Sequence, residues 1–253
     1  ILAGWVLDHQ ALKHASLPGV ATLPDTALGL LLGAIAVAAR IAGDDAWMRR
    51  ISLAAAAGLA LLGALQSAEI AATLAQGAAS FHINLLPEPP YQLPPSPQTA
   101  FSLLLAGLAL LLARSRWSPL RHAAEWLCFL VFLTGLVGLM AYAFGAAEIL
   151  LVRGFAAASA ASMAALLALG AAIPLAIHDR HGLVGLLSAN TGGGIMLRRM
   201  LPAALAVTFF TGWIIATGVD RDWFGAAAGG AYLAGACFAV LFLLLLRAAI
   251  GID

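Results

Sequence analysis

Residues 97–113 read Pro-Gln-Thr-Ala-Phe-Ser-Leu-Leu-Leu-Ala-Gly-Leu-Ala-Leu-Leu-Leu-Ala, an apolar segment without a charged side chain. A helix needs about 20 such residues, within a range of roughly 17–25, to cross the apolar core of a bilayer. Because that core offers no water to the backbone, a spanning segment of this kind must be helical. Ser96 and Pro97 at its beginning are the residue types that favour the start of a helix.

Similar apolar segments follow one another along the rest of the chain. We predict seven full spans, and we interpret residues 1–7 as the end of a truncated first one. The full spans are residues 23–39, 51–76, 97–113, 119–146, 155–177, 201–219 and 225–246. The sequence therefore predicts an all-α fold, a polytopic transmembrane bundle of about eight helices that forms a single domain over residues 1–253. A cytoplasmic output module is expected to follow Asp253.

The composition excludes most soluble classes of protein. Of the 253 residues, 62% are hydrophobic and only 10% are charged, and the mean hydropathy is +0.97. An ordinary soluble domain carries roughly 25% charged residues. A net charge of +1 also supplies no field that binds phosphate groups, so nucleic acid is not an expected partner. The lipid bilayer is the expected surrounding.

The basic residues predict the orientation of the spans. Ten of the 13 Lys and Arg residues fall in one set of loops: Arg40, Arg49, Arg50, Arg114, Arg116, Arg121, Arg180, Arg198, Arg199 and Arg247. The opposite loops hold Lys13, Arg153 and Arg221. Because short cytoplasmic loops are enriched in Lys and Arg, the first set is expected in the cytoplasm. With eight crossings, both ends of the region are then cytoplasmic.

Two loops have unusual compositions. The outer loop 77–96 is rich in proline, which favours a stiff, extended strap. The inner loop 178–200 contains Gly192, Gly193 and Gly194, followed by Arg198 and Arg199. We interpret the three glycines as a hinge and the two arginines as an anchor to anionic lipid headgroups.

Three segments resemble one another and indicate an internal repeat. Residues 24–33, 97–107 and 159–170 each place a hydroxyl side chain in the first helical turn, namely Thr26, Thr99 and Ser162, and a glycine about two turns later. Shared helix-start chemistry in a chain rich in Leu and Ala is one explanation. Duplication of an ancestral helix pair is the other, and it predicts that the three hydroxyls lie at a common depth.

Polar residues suitable for chemistry are scarce. The pattern predicts no catalytic site, no metal site and no cofactor, because no histidine lies well inside a span and the histidines lack close ligand spacing. Cys128 and Cys237 lie deep in apolar segments and are interpreted as small buried residues. Glu69 is the exception, because a carboxylate inside a span is costly and functional by default. Its partners are expected to be Gln66, Ser67 or Thr73, or a group on another helix.

A shallow polar cup on the outer face is the predicted ligand site. Thr26 and Thr99 begin two of the repeated helices, and Glu69 lies at the outer end of the helix between them. Phe81 and Tyr91, in the proline-rich strap, are the expected aromatic walls of the cup.

The ordered series of motifs resembles the multi-spanning N-terminal sensor region of bacterial membrane histidine kinases, which is also found before PAS and diguanylate cyclase modules. The motifs that carry the resemblance are residues 24–33, 96–109, 181–194, 197–202, 212–213 and 222–225. The resemblance implies a bacterial inner-membrane protein, active as a homodimer or with other membrane subunits. It implies a non-catalytic input region, which passes a periplasmic or bilayer signal to a cytoplasmic output domain. A histidine kinase activity would belong to that output domain, which this chain lacks.

Two other functions are compatible with the sequence. An accessory helical subunit of a larger membrane complex would show the same small-residue helix faces and few buried polar groups. A transporter of a small neutral solute is less favoured, because no charged site lies near the middle of a span.

The predicted topology is testable by cysteine accessibility. In a background without Cys128 and Cys237, a cysteine added after Asp253 should react with a membrane-impermeant thiol reagent only after the cytoplasmic side is opened. Labelling of this cysteine from the periplasm of intact cells would contradict the orientation.

Overall fold

The computed structural model describes residues 22–43, 45–76, 94–152, 155–177, 191–221 and 223. Over these ranges the chain forms six α-helices and one 3-10 turn, Ala147–Leu150, with no β-strand. The helices are α1 (Pro24–Ala42), α2 (Ala46–Gln76), α3 (Pro97–Leu112), α4 (Ser118–Ala143), α5 (Ala160–Ala176) and α6 (Gly192–Asp220). The predicted all-α class is thus confirmed for the described residues.

Four of these helices, α1, α2, α4 and α6, are long and apolar enough to cross a membrane. The other two, α3 and α5, are shorter apolar helices of 16 and 17 residues. The predicted spans at residues 1–7 and 225–246 lie outside the described residues. The described helices therefore correspond to the six central spans that the sequence predicts.

Several predicted boundaries were wrong. Helix α6 begins at Gly192, not at Leu201, because the Thr191 side chain caps it by accepting a 3.3 Å hydrogen bond from the Gly194 backbone N–H. Pro202, beside the predicted start of this span, lies inside the helix. Helix α2 begins at Ala46 and so includes the two arginines that precede the predicted start at residue 51.

The described helices belong to two compact units. Helices α1 to α5 form the first, and α6 belongs to the second together with the turn that follows α4. In the first unit α2 packs against both α1 and α3, while α1, α3 and α5 contact one another. The largest fully buried side chains at these contacts include Leu59, Leu103, Leu110, Met163, Leu166 and Ile173.

The outward face of α4 is apolar. Trp126, Phe129, Leu133 and Val137 all expose more than a third of their side chains. In the second unit, Phe144 from the turn after α4 stacks on Phe209 of α6 with a centroid distance of 5.6 Å. Large apolar side chains that face outward are expected where acyl chains, and not water, surround a helix.

Two helix pairs pack through glycine with the same geometry. A Cβ on Gly63 of α2 would overlap the Leu104 backbone of α3, and one on Gly107 would overlap the Ala60 backbone. Between α4 and α5, Gly135 lies against the Leu167 backbone and Gly170 against the Phe132 backbone in the same way. On each of the four helices, the glycine lies three positions after the residue that the partner helix's glycine contacts, as Gly63 follows Ala60 and Gly107 follows Leu104. The α2–α3 pair and the α4–α5 pair are therefore structural repeats.

Helix α1 packs differently from these pairs. A Cβ on Gly29 would meet the side chains of Leu103 and Leu62, and one on Gly33 would meet mainly the side chain of Leu169. The glycines of α1 thus contact neighbouring side chains, which can change rotamer, and not backbone, which cannot retreat.

We expect the glycines of the repeated pairs to be irreplaceable. Alanine favours an isolated helix interior by about 1 kcal/mol over glycine, but Gly107→Ala and Gly170→Ala should destabilise the protein by about 1–3 kcal/mol, because the added methyl groups push two backbones apart. Gly58→Ala is the matched control, since its Cβ would meet only the Leu32 side chain, at 3.4 Å or more. Thermal unfolding in detergent measures the difference, and equal stability of all three variants would contradict the packing.

Candidate functional site

The starts of α1, α3 and α5 converge on one small cavity. Its volume is about 10 Å³, and it is lined by Thr22, Leu23, Thr26, Ser96, Thr99, Ala157, Ala158, Ser159 and Ser162. Six of these residues carry hydroxyl groups, and all six are buried. The cavity is therefore a polar pocket at one end of an otherwise apolar core.

Hydrogen bonds between the segments that precede the helices hold the three starts together. The Ala156 backbone N–H donates to the Pro94 carbonyl at 2.7 Å, which joins the segments before α5 and α3. The Tyr142 hydroxyl donates to the Ala158 carbonyl at 2.6 Å and fixes the same segment to α4. Thr22, just before α1, lies 2.6 Å from Ser159 between the hydroxyl oxygens.

Helices α3 and α5 begin with the same capping arrangement. The Ser96 hydroxyl accepts a hydrogen bond from the Thr99 backbone N–H at 3.2 Å, and the Ser159 hydroxyl accepts one from Ser162 at 3.1 Å. A side-chain oxygen that accepts from the first turn satisfies one of the N–H groups left without a partner at a helix start. Leu23 is the N-cap of α1, and no side chain caps that helix.

The three hydroxyls predicted from the repeat come together. Thr26, Thr99 and Ser162 each occupy the third position after the N-cap of their helix, and all three line the cavity. The sequence also indicated Ser96 as a helix start, whereas the span that contains Ser159 was predicted to begin at residue 155. It gave no signal for Thr22, which lies outside the repeated segments.

Glu69 is buried on α2, with 4% of its surface exposed, but it does not line the cavity. None of the three expected partners on its own helix bonds to its carboxylate. The Ser67 hydroxyl donates to the Gly63 carbonyl at 2.7 Å, and the Thr73 hydroxyl donates to the Glu69 backbone carbonyl at 2.9 Å. Gln66 makes no side-chain hydrogen bond in the described part of the chain. Phe81 and Tyr91, the predicted aromatic walls, lie outside the described residues.

Gln66 is a buried polar side chain that the sequence did not single out as a site. Only 4% of its surface is exposed, and among the described residues neither its amide oxygen nor its amide nitrogen has a hydrogen-bond partner. It lies one turn beyond Leu62 and Gly63, which face α1 and α3. A buried amide without partners costs roughly 1–3 kcal/mol by the measure of protein mutants. Sequence reasoning missed it because the lack of hydrogen-bond partners depends on which groups the neighbouring helices place around the amide.

The predicted hinge and anchor residues belong to the second unit. The glycine-rich sequence predicted that Gly192, Gly193 and Gly194 lie in a loop. The structure instead has them in the first turn of α6. Arg198 and Arg199 follow within the same helix and are exposed. The cap on Thr191 explains the difference, because it provides a helix start where the sequence indicated a loop. Their roles as hinge and anchor remain predictions.

Within the described ranges, no group of three His, Cys, Asp or Glu side chains is placed to hold a metal ion. Searches of family models, curated proteins and solved structures return no match to this chain. In the part of the chain that the structure describes, the hydroxyl-lined cavity at the three helix starts is a polar site where residues of three helix starts meet.

Replacement of Gln66 tests whether its amide is a structural cost or a binding group. Gln66→Leu should stabilise the protein by about 1–2 kcal/mol in thermal unfolding, because it removes two unsatisfied polar atoms from an apolar contact. Gln98→Leu is the comparison variant: the Gln98 amide nitrogen donates to the Leu150 carbonyl at 3.5 Å, while its amide oxygen has no partner among the described residues, so a smaller gain than for Gln66→Leu is expected. A loss of stability in Gln66→Leu would mean that the amide has a partner in the membrane.

Proposed function

We propose that this chain is the membrane-embedded sensory input region of a bacterial signalling protein of the histidine-kinase type. It receives a periplasmic or bilayer signal and passes it to a cytoplasmic output domain that follows Asp253. The observation that carries the proposal is the convergence of three helix starts on a buried, hydroxyl-lined cavity. A polar cluster at one end of a tightly packed apolar core provides a place where a small change in binding can alter helix positions.

The proposed location is the bacterial inner membrane, with a polytopic arrangement of about eight spans and both ends in the cytoplasm. The four long apolar helices support the membrane assignment, and the unequal distribution of Lys and Arg supports the orientation. In this orientation the starts of α1, α3 and α5 face the periplasm. Thr26 and Thr99 are then the cavity residues nearest to a periplasmic stimulus, and Glu69 is buried at the same end of α2.

Helix α1 is the proposed moving element. Its glycines contact side chains, whereas four glycines of the α2–α3 and α4–α5 pairs, Gly63, Gly107, Gly135 and Gly170, contact backbone. A packed backbone contact has one arrangement, but a contact through leucine side chains can be rebuilt after a small shift by a change of rotamer. A stimulus that favours one position of α1 changes the output only by its difference in affinity for the two positions.

A second function is favoured by the exposed apolar faces. Large side chains such as Trp126 on α4 and Phe210 and Trp213 on α6 are more than 45% exposed. A membrane subunit that packs against partner proteins would use such faces, since aromatic residues are enriched in interfaces. Co-purification of a defined complex from native membranes would favour the subunit function, and a solitary homodimer would favour the sensor.

Variants at the outer end of the core test the sensor function. In the complete signalling protein, Thr26→Val, Thr99→Val and Glu69→Gln should each change the output without loss of membrane insertion. A shift of about 1 kcal/mol between two signalling states changes their ratio about fivefold. The readout is expression of a target reporter, compared with the amount of inserted protein.

Thr134→Val is the matched control for the two threonine variants, because the Thr134 hydroxyl donates only to the Leu130 carbonyl of its own helix, at 2.9 Å. It should insert and signal as the parent does. If all three test variants also signal as the parent does, the stimulus does not act at the cavity end of the core. If the coding sequence ends at Asp253, the accessory subunit replaces the sensor as the preferred function.

A further inference from the structure

Thr26 is the one hydroxyl of the cavity whose oxygen takes part in no hydrogen bond within the described residues. The other five hydroxyl side chains of the lining, those of Thr22, Ser96, Thr99, Ser159 and Ser162, all have partners. Thr26 is 3% exposed, and it lines the cavity. Buried polar groups are nearly always hydrogen-bonded, to protein or to ordered water. An unpartnered hydroxyl that faces a cavity therefore indicates a partner inside the cavity.

On the α3 side, both hydroxyl protons are already committed. The Thr99 hydroxyl donates to the Ser96 carbonyl at 2.9 Å. The 2.8 Å contact between the Ser96 and Thr99 hydroxyl oxygens must then be donated by Ser96. A hydroxyl has one proton and two acceptor positions, so the Thr99 oxygen accepts one hydrogen bond here and keeps one acceptor position.

The α5 side gives the same result. The Ser162 hydroxyl oxygen lies 2.8 Å from that of Ser159 and 3.4 Å from that of Thr22. Its one proton goes to one of these two neighbours. Whichever neighbour receives it, the Ser162 oxygen accepts at most one hydrogen bond here and keeps at least one acceptor position.

The occupant must therefore accept a hydrogen bond from Thr26 and donate hydrogen bonds to Thr99 and Ser162. An anion is attracted to helix starts, but it cannot donate. A metal cation would accept nothing from Thr26, and none of the described lining residues carries a carboxylate to balance its charge. Water donates twice and accepts twice, and a cavity of about 10 Å³ is about the size that one buried water molecule requires.

We propose that the cavity is a binding site for one water molecule, held by Thr26 as donor and by Thr99 and Ser162 as acceptors. The second acceptor position of the water is available to the first turn of α1, the helix that no side chain caps. The water thus takes the place at α1 that the Ser96 and Ser159 hydroxyls take at α3 and α5. This proposal does not depend on the signalling function.

A crystal structure of the parent chain, from crystals grown in a lipidic phase, tests the proposal directly. At a resolution that shows ordered water elsewhere in the map, we expect one peak in the cavity, at about 2.6–3.2 Å from the Thr26, Thr99 and Ser162 hydroxyl oxygens. An empty cavity in such a map overturns the proposal, and so does an occupant larger than water.

Two variants test the role of the Thr26 hydroxyl. Thr26→Ser keeps the donor and should retain both the water peak and the melting temperature of the parent to within about a degree. Thr26→Val has nearly the same shape but no donor, and it should lose the water and melt a few degrees lower than Thr26→Ser. Thr134→Val, remote from the cavity in sequence and not part of its lining, controls for the loss of a threonine hydroxyl as such.

The outcomes of this comparison are distinct. A water peak that persists in Thr26→Val, or equal melting of the Val and Ser variants, contradicts the assigned donor. If the Val variant fails to fold, the maps of the parent and of Thr26→Ser still decide whether water occupies the site. Reporter signalling plays no part in these readouts, so a failure of the sensor function leaves them unaffected.

Discussion

Direct backbone contact between neighbouring helices is the constraint on which the first unit depends. Lipid tails are as apolar as leucine, so helices in a membrane gain little by hiding apolar surface from one another and associate through close packing. Gly63 and Gly107 allow this contact between α2 and α3, and Gly135 and Gly170 allow it between α4 and α5. Because each glycine faces a backbone segment and not a side-chain tip, the contact fixes both the distance and the register of the two helices. The register in turn sets the level at which α3 and α5 begin.

The level of the helix starts creates a second requirement. Each start exposes N–H groups without a partner in its own helix, and groups outside that turn must supply the partners. Helices α3 and α5 meet the requirement with a serine at the N-cap and a hydroxyl three residues later. The hydroxyls that serve this purpose are brought side by side by the packing below them. The polar cavity is thus a consequence of helix packing and helix capping together, and no separate feature is needed to produce it.

Sequence reasoning predicted those parts of the structure that depend on local pattern. The helical class follows from uninterrupted apolar segments, and the grouping of Thr26, Thr99 and Ser162 follows from their common offset within the repeat. The importance of Gly63 and Gly135 was not predictable, because glycine is frequent in this chain and only the facing helix shows which glycines touch backbone. The unsatisfied amide of Gln66 was not predicted for the same reason, since its lack of hydrogen-bond partners depends on three helices at once. The early start of α6 was missed because three glycines indicate a loop unless a capping residue such as Thr191 precedes them.

The repeat also shows where the structure departs from symmetry. Ser96, Thr99, Leu104 and Gly107 are followed 63 residues later by Ser159, Ser162, Leu167 and Gly170, so α3 and α5 share cap, first-turn hydroxyl and glycine contact. Helix α1 keeps only the hydroxyl, Thr26, and has leucine at the cap position and side-chain contacts at its glycines. Among α1, α3 and α5, the helix without a side-chain cap is thus also the helix whose glycines contact side chains. A two-state element needs two arrangements of similar free energy. Among α1, α3 and α5, only α1 combines an N-terminus without a side-chain cap with glycine contacts that a rotamer change can rebuild.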